Sequence, residues 1–219
     1  MIAALIPAVL QKQPMLNYFL GSFTSLFSVI NPLGMMPVFL ALTAAHPLAY
    51  RNLMARKACI YMMLILAFFL FAGTFIMSFF GFSLVSLRIA GGLVVMRSGF
   101  QLLNGNDKSG NLSAQGQIEA IEKADISLTP LAMPLLSGPG SIATTISLAT
   151  HTRGIVDISV LLLAILVIGI ISFIILRLSQ KLLPIISRGG LEAITKIMGF
   201  IAMTVGVQFI INGVTQLLP

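Results

Sequence analysis

Two motifs that combine proline with glycine interrupt uncharged stretches of this 219-residue chain. The first is Asn-Pro-Leu-Gly at 31–34, and the second is Ser-Gly-Pro-Gly-Ser at 137–141. Proline lacks a backbone N–H and disfavours helix at the preceding residue, so each motif predicts a broken helix. The amides that begin the next half-helix suit a carboxylate, and the carbonyls released at the break suit an ammonium group or a sodium ion. A pair of such breaks therefore predicts a site for a small zwitterion.

The side chains around both motifs are short and uncharged, which favours a small ligand over a bulky or multiply charged one. Each motif alone could be a simple kink, because proline and glycine are common in membrane helices. Their corresponding positions in the two halves of the chain favour a binding site instead. The predicted substrate-binding residues are Asn31, Pro32, Gly34, Ser137, Gly138, Pro139, Gly140, Ser141 and Thr144.

The composition predicts that these motifs lie inside a membrane. Hydrophobic residues make up 58% of the chain and charged residues only 9%, which is far more apolar than a soluble domain requires. The net charge of +7 does not indicate a nucleic-acid partner, because the basic residues are scattered between apolar blocks. We therefore predict an all-α, polytopic protein of the cell inner (plasma) membrane, with the lipid bilayer as its surroundings.

Apolar segments of about 20 residues each indicate six transmembrane helices, of which the first and fourth are broken by the motifs. Residues 1–219 then form one domain, with three-helix repeats at 1–105 and 126–219 joined by a polar loop at 106–125. An offset of 107 positions superimposes Pro32 on Pro139 and Gly99 on Gly206. Three helices per half is an odd number, so the second half would enter the membrane from the opposite side. This 3+3 inverted repeat is typical of secondary transporters.

The charges predict the orientation and several helix ends. We expect a phenylalanine-rich second helix ending near Gly81, a fifth helix over 158–175, and a basic link over 177–196. By the positive-inside rule, the basic residues after helices 1, 3 and 5 place both termini outside the cytoplasm. These residues are Arg51, Arg56, Lys57, Lys108, Lys123, Arg177, Lys181, Arg188 and Lys196.

The sequence does not predict an enzyme or a bound cofactor. It has no HExxH or Walker element and no Ser, His and Asp set at membrane depth, and its single cysteine excludes multi-cysteine metal sites. All acidic residues fall in connections or at span edges, so a coupling ion, Na⁺ or H⁺, is left open. Arg88 and Arg97 lie within reach of an interface, which favours snorkelling, although an intramembrane charge is also a functional candidate.

Four segments carry a family resemblance: VINPLGMMPVFLALT, LRIAGGLVVMRSGFQLL, PLAMPLLSGPGSIATTI and KIMGFIAMTVGVQFIINGV. Together they resemble the MarC family of bacterial and archaeal inner-membrane proteins, which includes transporters of small neutral amino acids. The resemblance implies a six-helix bundle in which Asn31, Pro32, Gly34 and residues 137–141 surround glycine, alanine or a similar substrate. Ser137 and Ser141 stand where relatives often carry alanine.

The sequence thus predicts a secondary transporter of small zwitterionic amino acids that works by alternating access. Two alternatives stay open. An exporter of drugs or other metabolites would need a wider cavity lined by aromatic residues, and a non-transporting membrane scaffold would show no saturable ligand binding.

Overall fold

The computed structural model describes residues 14–43, 46–104, 127–152, 154–182 and 188–217. In these ranges helices are joined by short turns and no strand is present, which confirms the all-α prediction. The elements are α1 (Pro14–Ile30), α2 (Pro32–Thr43), α3 (Leu48–Phe80), α4 (Leu84–Asn104), a π-helix π1 (Ser127–Leu136), α5 (Pro139–Ala149), α6 (Ile155–Leu182) and α7 (Arg188–Thr215).

Four stretches of helix are long and apolar enough to cross a membrane, namely Met15–Leu40, Leu48–Phe80, Ile155–Ser179 and Thr195–Thr215. The first of them runs through both α1 and α2. Large apolar side chains also point outward, and Phe75 and Phe79 on α3 are 71% and 73% exposed. An apolar outer surface is stable in lipid and would be a liability in water, so these helices are those of an integral membrane protein.

Two of the predicted helix boundaries can be compared with the structure. Helix α3 ends at Phe80, and Gly81 follows with a φ of 71°, so the predicted end near Gly81 is confirmed. The predicted basic link over 177–196 is wrong, because α6 continues to Leu182 and α7 begins at Arg188. Lysine and arginine are good helix formers whose long side chains reach water from a helix end, so charge did not mark the end of the helix. The predicted loop at 106–125 lies outside the described residues.

The main apolar core lies among α1, α2, α3 and α6. Its largest fully buried side chains include Leu26, Phe39, Met62, Leu66 and Ile168. Both parts of the first broken helix pack against α6, while α4 and α7 form a second, closely packed pair.

Glycines bring the backbones of α4 and α7 into direct contact. A Cβ added to Gly92 would lie 2.7 Å from the carbonyl oxygen of Gly206, and one added to Gly99 would lie 2.6 Å from the carbonyl oxygen of Gly199. The residue order of these contacts shows that the two helices run antiparallel. Lipid provides no hydrophobic force between helices, so such close packing is a main source of their association.

Some helix starts and helix contacts in the second half of the chain correspond to ones in the first half. Pro139 begins α5 107 positions after Pro32 begins α2, and Ile155 begins α6 107 positions after Leu48 begins α3. Helix α1 packs on α6, and its counterpart π1 packs on α3. Helix α2 also packs on α6, and its counterpart α5 packs on α3. Finally, α2 contacts α7, and α5 contacts α4. The offset that matches the two motifs in the sequence therefore also relates two helix starts and three pairs of helix contacts.

We expect Gly99→Ala to lower the free energy of unfolding by about 1–3 kcal/mol, because the added methyl group meets backbone atoms that cannot move aside. The matched control is Gly21→Ala, where a Cβ has nothing within 4 Å and helix propensity predicts a change of about 1 kcal/mol in the stabilising direction. Thermal unfolding in detergent compares the two. Equal melting temperatures would mean that the α4–α7 contact is not tight.

Candidate substrate cavity

At the first break, the side chain of Asn31 caps the helix that follows. This residue has a φ of 49°, the left-handed region that asparagine tolerates better than most residues, and it is 4% exposed. Its Oδ1 accepts a hydrogen bond of 3.1 Å from the amide of Gly34, which is the geometry of a helix N-cap for α2. Pro32 has no N–H to donate to the carbonyl of Ser28, so the hydrogen-bond ladder between α1 and α2 is interrupted.

Gly34 must be a glycine for this cap to form. A Cβ at this position would lie 2.9 Å from Cγ of Asn31 and would overlap the amide nitrogen of the same side chain. The amide nitrogen Nδ2 of Asn31 itself has no hydrogen-bond partner among the described residues. It is therefore a donor that a ligand could use.

The second break differs in its cap. The π-helix π1 ends in a bond of 2.7 Å from the amide of Ser137 to the carbonyl of Ala132. Gly138 is the N-cap residue of α5, with φ −68° and ψ 170°, and no side chain caps this helix. The hydroxyl of Ser141 instead donates to the carbonyl of Gly138 at 2.9 Å. The first turn of α5 therefore carries the positive end of a helix dipole without a side-chain acceptor.

The two breaks border one cavity of about 230 Å³. Its wall contains the C-terminal ends of α1 and π1, the N-cap residues of α2 and α5, and one side of α4 and α7. Most of the lining is apolar, and the polar side chains are few. The lining residues are Val29, Ile30, Asn31, Met35, Val94, Val95, Ser98, Leu102, Leu135, Leu136, Gly138, Pro139, Gly140, Ser141 and Ala202.

The structure brings together five of the nine predicted site residues around this cavity: Asn31, Gly138, Pro139, Gly140 and Ser141. The other four do not line the cavity: Pro32, Gly34, Ser137 and Thr144. Thr144 donates to the carbonyl of Gly140 at 2.8 Å, so its hydroxyl supports α5. The hydroxyl of Ser137 is buried and has no hydrogen-bond partner within the described part of the chain.

Sequence reasoning missed the wall that α4 and α7 contribute. Val94, Val95, Ser98 and Leu102 of α4 and Ala202 of α7 line the cavity, although none of them lies near a proline motif. One signal was present in the sequence, because Ala202 follows Val95 by the same 107 positions that separate the two prolines.

The two arginines of α4 have different surroundings. Nine positions at about 100° per residue put them on opposite faces of the helix. Arg97 is exposed on the outer face. Arg88 is 8% exposed, and its Nε donates to the hydroxyl of Ser147 at 2.9 Å. Arg88 is therefore enclosed by protein, whereas Arg97 is free to reach an interface.

The cap geometry generates a stability prediction. Asn31→Ala removes the acceptor for the Gly34 amide and places an alanine in the left-handed region, so we expect a loss of about 1–3 kcal/mol in the free energy of unfolding. Asn31→Gly also removes the side chain but adopts a positive φ freely and is a tolerated N-cap, so it should cost less than 1 kcal/mol. Chemical denaturation in detergent measures both variants. Equal losses would contradict the cap described here.

Comparison with known proteins identifies the chain's relatives. The model of the MarC family of integral membrane proteins matches residues 16–218. A UPF0056 membrane protein of Methanocaldococcus jannaschii is 38% identical over 91% of this chain and 97% of its own length. A UPF0056 membrane protein of Bacillus subtilis is 35% identical over 94% and 98%, and the inner membrane protein MarC of Citrobacter koseri is 38% identical over 88% and 92%.

No solved structure matches the chain significantly. The family match extends from α1 to the end of α7, and the relatives are membrane or inner-membrane proteins. Both findings agree with the long apolar helices of the structure. The chain belongs to the MarC family of integral membrane proteins.

Proposed function

We propose that this protein is a secondary transporter of small neutral amino acids, such as glycine or alanine, across the cytoplasmic membrane. The observation that carries the proposal is that two helix breaks, which lie far apart in the sequence, border the same small cavity. Interrupted helices at membrane depth are stable only where protein or a water-filled cavity satisfies their free backbone groups. The same groups are the ones that a small polar solute can bind.

The charge distribution of the cavity suits a zwitterion. The N-terminal ends of α2 and α5 carry positive dipole ends, and the side-chain amide of Asn31 adds a hydrogen-bond donor. These groups favour a carboxylate. The C-terminal ends of α1 and π1 carry negative dipole ends and favour an ammonium group. A solute with both groups a short distance apart matches both sets of helix ends at once.

The size of the cavity favours an amino acid over a drug. Sites for drug-sized ligands usually measure about 300–1,000 Å³ and have aromatic lining. Here the cavity is about 230 Å³ and has no aromatic lining residue. A drug exporter is therefore the weaker alternative. A scaffold without a ligand would give no reason for a cavity between the two breaks.

The mirrored packing supports alternating access between two inverted halves. Helices α4 and α7 correspond under the offset of 107 and run antiparallel, as the third helices of an inverted repeat must. We propose a first repeat of α1 to α4 and a second of π1 to α7, which together form six membrane crossings with broken first and fourth helices. Rocking of one half against the other would expose the cavity to each side in turn.

We expect glycine and L-alanine to bind the purified protein saturably, while L-phenylalanine does not fit and glycinamide lacks the carboxylate. Calorimetry in sodium chloride and in choline chloride tests binding and sodium coupling together. Asn31→Gly should weaken glycine binding at least tenfold, or about 1.4 kcal/mol, because it removes the free amide donor while keeping the backbone turn. Uptake of labelled glycine into proteoliposomes should fall in parallel.

Two glycine variants provide a matched comparison for this experiment. Gly140→Ala puts a methyl group against Val95 and 3.1 Å from Val29 Cγ1, inside the cavity wall, and should also weaken binding. Gly189→Ala enters open space and should bind glycine as the wild type does. Absence of binding by any small amino acid at millimolar concentration, with the protein folded, would leave the exporter or the scaffold as the better explanation.

We also propose that both termini lie outside the cytoplasm, since basic residues cluster where α3 begins and where α6 ends. The single cysteine, Cys59, is buried, so new cysteines can be labelled on the natural background. A membrane-impermeant maleimide should label Ser83→Cys in intact cells and Arg56→Cys only after the membrane is opened. Both native residues are exposed, and the reverse labelling pattern would invert the proposed orientation.

A further inference from the structure

A second, more polar pocket lies at one end of the bundle, outside the cavity described above. It measures about 330 Å³ and is bordered by Arg88 near the start of α4, by Ser147 and His151 at the end of α5, and by Asn212, Thr215 and Gln216 at the end of α7. None of these residues lines the central cavity. The same three helices, α4, α5 and α7, border both spaces.

Arg88 is the charged group of this pocket, and it lacks a counter-ion. No carboxylate pairs with it among the described residues, and its one hydrogen bond joins Nε to the hydroxyl of Ser147. Within the described ranges, that bond leaves both terminal amino groups of the guanidinium without a protein partner. The residue as a whole is 8% exposed, while its two terminal amino groups open into the pocket, and an unpaired guanidinium in that position is suited to bind an anion.

The neighbours of Arg88 hold it in place without neutralising it. Ser147 accepts from Arg88 through its hydroxyl, and its backbone carbonyl accepts from Nδ1 of His151 at 2.7 Å. The side-chain oxygen of Asn212 is occupied by a hydrogen bond of 2.8 Å from Gln208, which leaves the amide nitrogen of Asn212 as a donor. The pocket therefore presents a fixed guanidinium fork and an amide donor, and it contains no acidic side chain.

We infer that this pocket is a binding site for the carboxylate of a small soluble molecule. The free edge of a guanidinium binds a carboxylate through two parallel hydrogen bonds, which adds geometric specificity to charge attraction. Seven residues separate Arg88 from Val95 in the cavity wall, or about 10 Å along the helix. In the proposed orientation the pocket opens away from the cytoplasm, so it would bind carboxylate solutes on the outer side of the membrane. The inference does not depend on which solute the central cavity takes.

The test is thermal unfolding of the protein in detergent, with sodium acetate replacing sodium chloride at constant ionic strength. Acetate is the probe because it has a carboxylate and no ammonium group. We expect it to raise the melting temperature of the wild type, because a ligand that binds only the folded state stabilises it. Arg88→Gln should lose this shift or need at least tenfold more acetate for it. The control Arg97→Gln, on the exposed face of the same helix, should keep the full shift.

Two further variants separate this site from the central cavity and from a folding defect. Asn31→Gly, which alters the central cavity, should keep the acetate shift even if it loses glycine binding. Ser147→Asp places a carboxylate beside Arg88, so it should fold and no longer respond to acetate. Failure of the central cavity to bind glycine would leave these expectations unchanged.

Three outcomes would overturn the inference. The first is no acetate shift in the wild type, and the second is an undiminished shift in both Arg88→Gln and Ser147→Asp. The third concerns the source of the anion. If acetate has no effect, but phosphatidylglycerol in nanodiscs stabilises the wild type more than Arg88→Gln and phosphatidylcholine does not, the pocket binds a lipid headgroup.

Discussion

The backbone contact between α4 and α7 sets the position of the two helices that border both cavities. Gly92 meets Gly206 and Gly99 meets Gly199 at distances that leave no room for a side chain. In lipid such contact replaces the hydrophobic force that joins helices in water. Because both cavities are bordered by this pair and by α5, the glycines fix the width of the space in which a solute or an anion can bind.

Backbone hydrogen bonding explains why the breaks and the cavity occur together. A helix that crosses a membrane satisfies its own amides and carbonyls, and a proline at membrane depth leaves some of them free. Asn31 satisfies one such amide at the first break, whereas the start of α5 has no side-chain cap. The remaining groups need a polar partner, and the cavity between the breaks is the place where a small solute could provide it.

The sequence predicted the features that depend on local chemistry. Proline positions, glycine motifs and apolar segments predicted helices, their two interruptions and the membrane environment, because each follows from a few neighbouring residues. Features that depend on contacts between residues distant in the sequence were harder to predict. Val95 and Ala202 line the cavity because α4 and α7 pack together. Arg88 differs from Arg97 in its burial and in its hydrogen bond to Ser147, which lies 59 residues away.

The two halves share two helix starts under one offset and differ at the helix N-caps beside the cavity. Under the offset of 107, Asn31 corresponds to Gly138 and Gly34 to Ser141, so a capping side chain in one half faces a bare N-cap in the other. A fully symmetric site would present identical groups from both sides and would suit a symmetric ligand. An amino acid has a carboxylate at one end and an ammonium group at the other. Within the proposed inverted repeat, the difference between these two pairs of residues gives the two sides of the cavity different groups, as the proposed recognition of an amino acid would need.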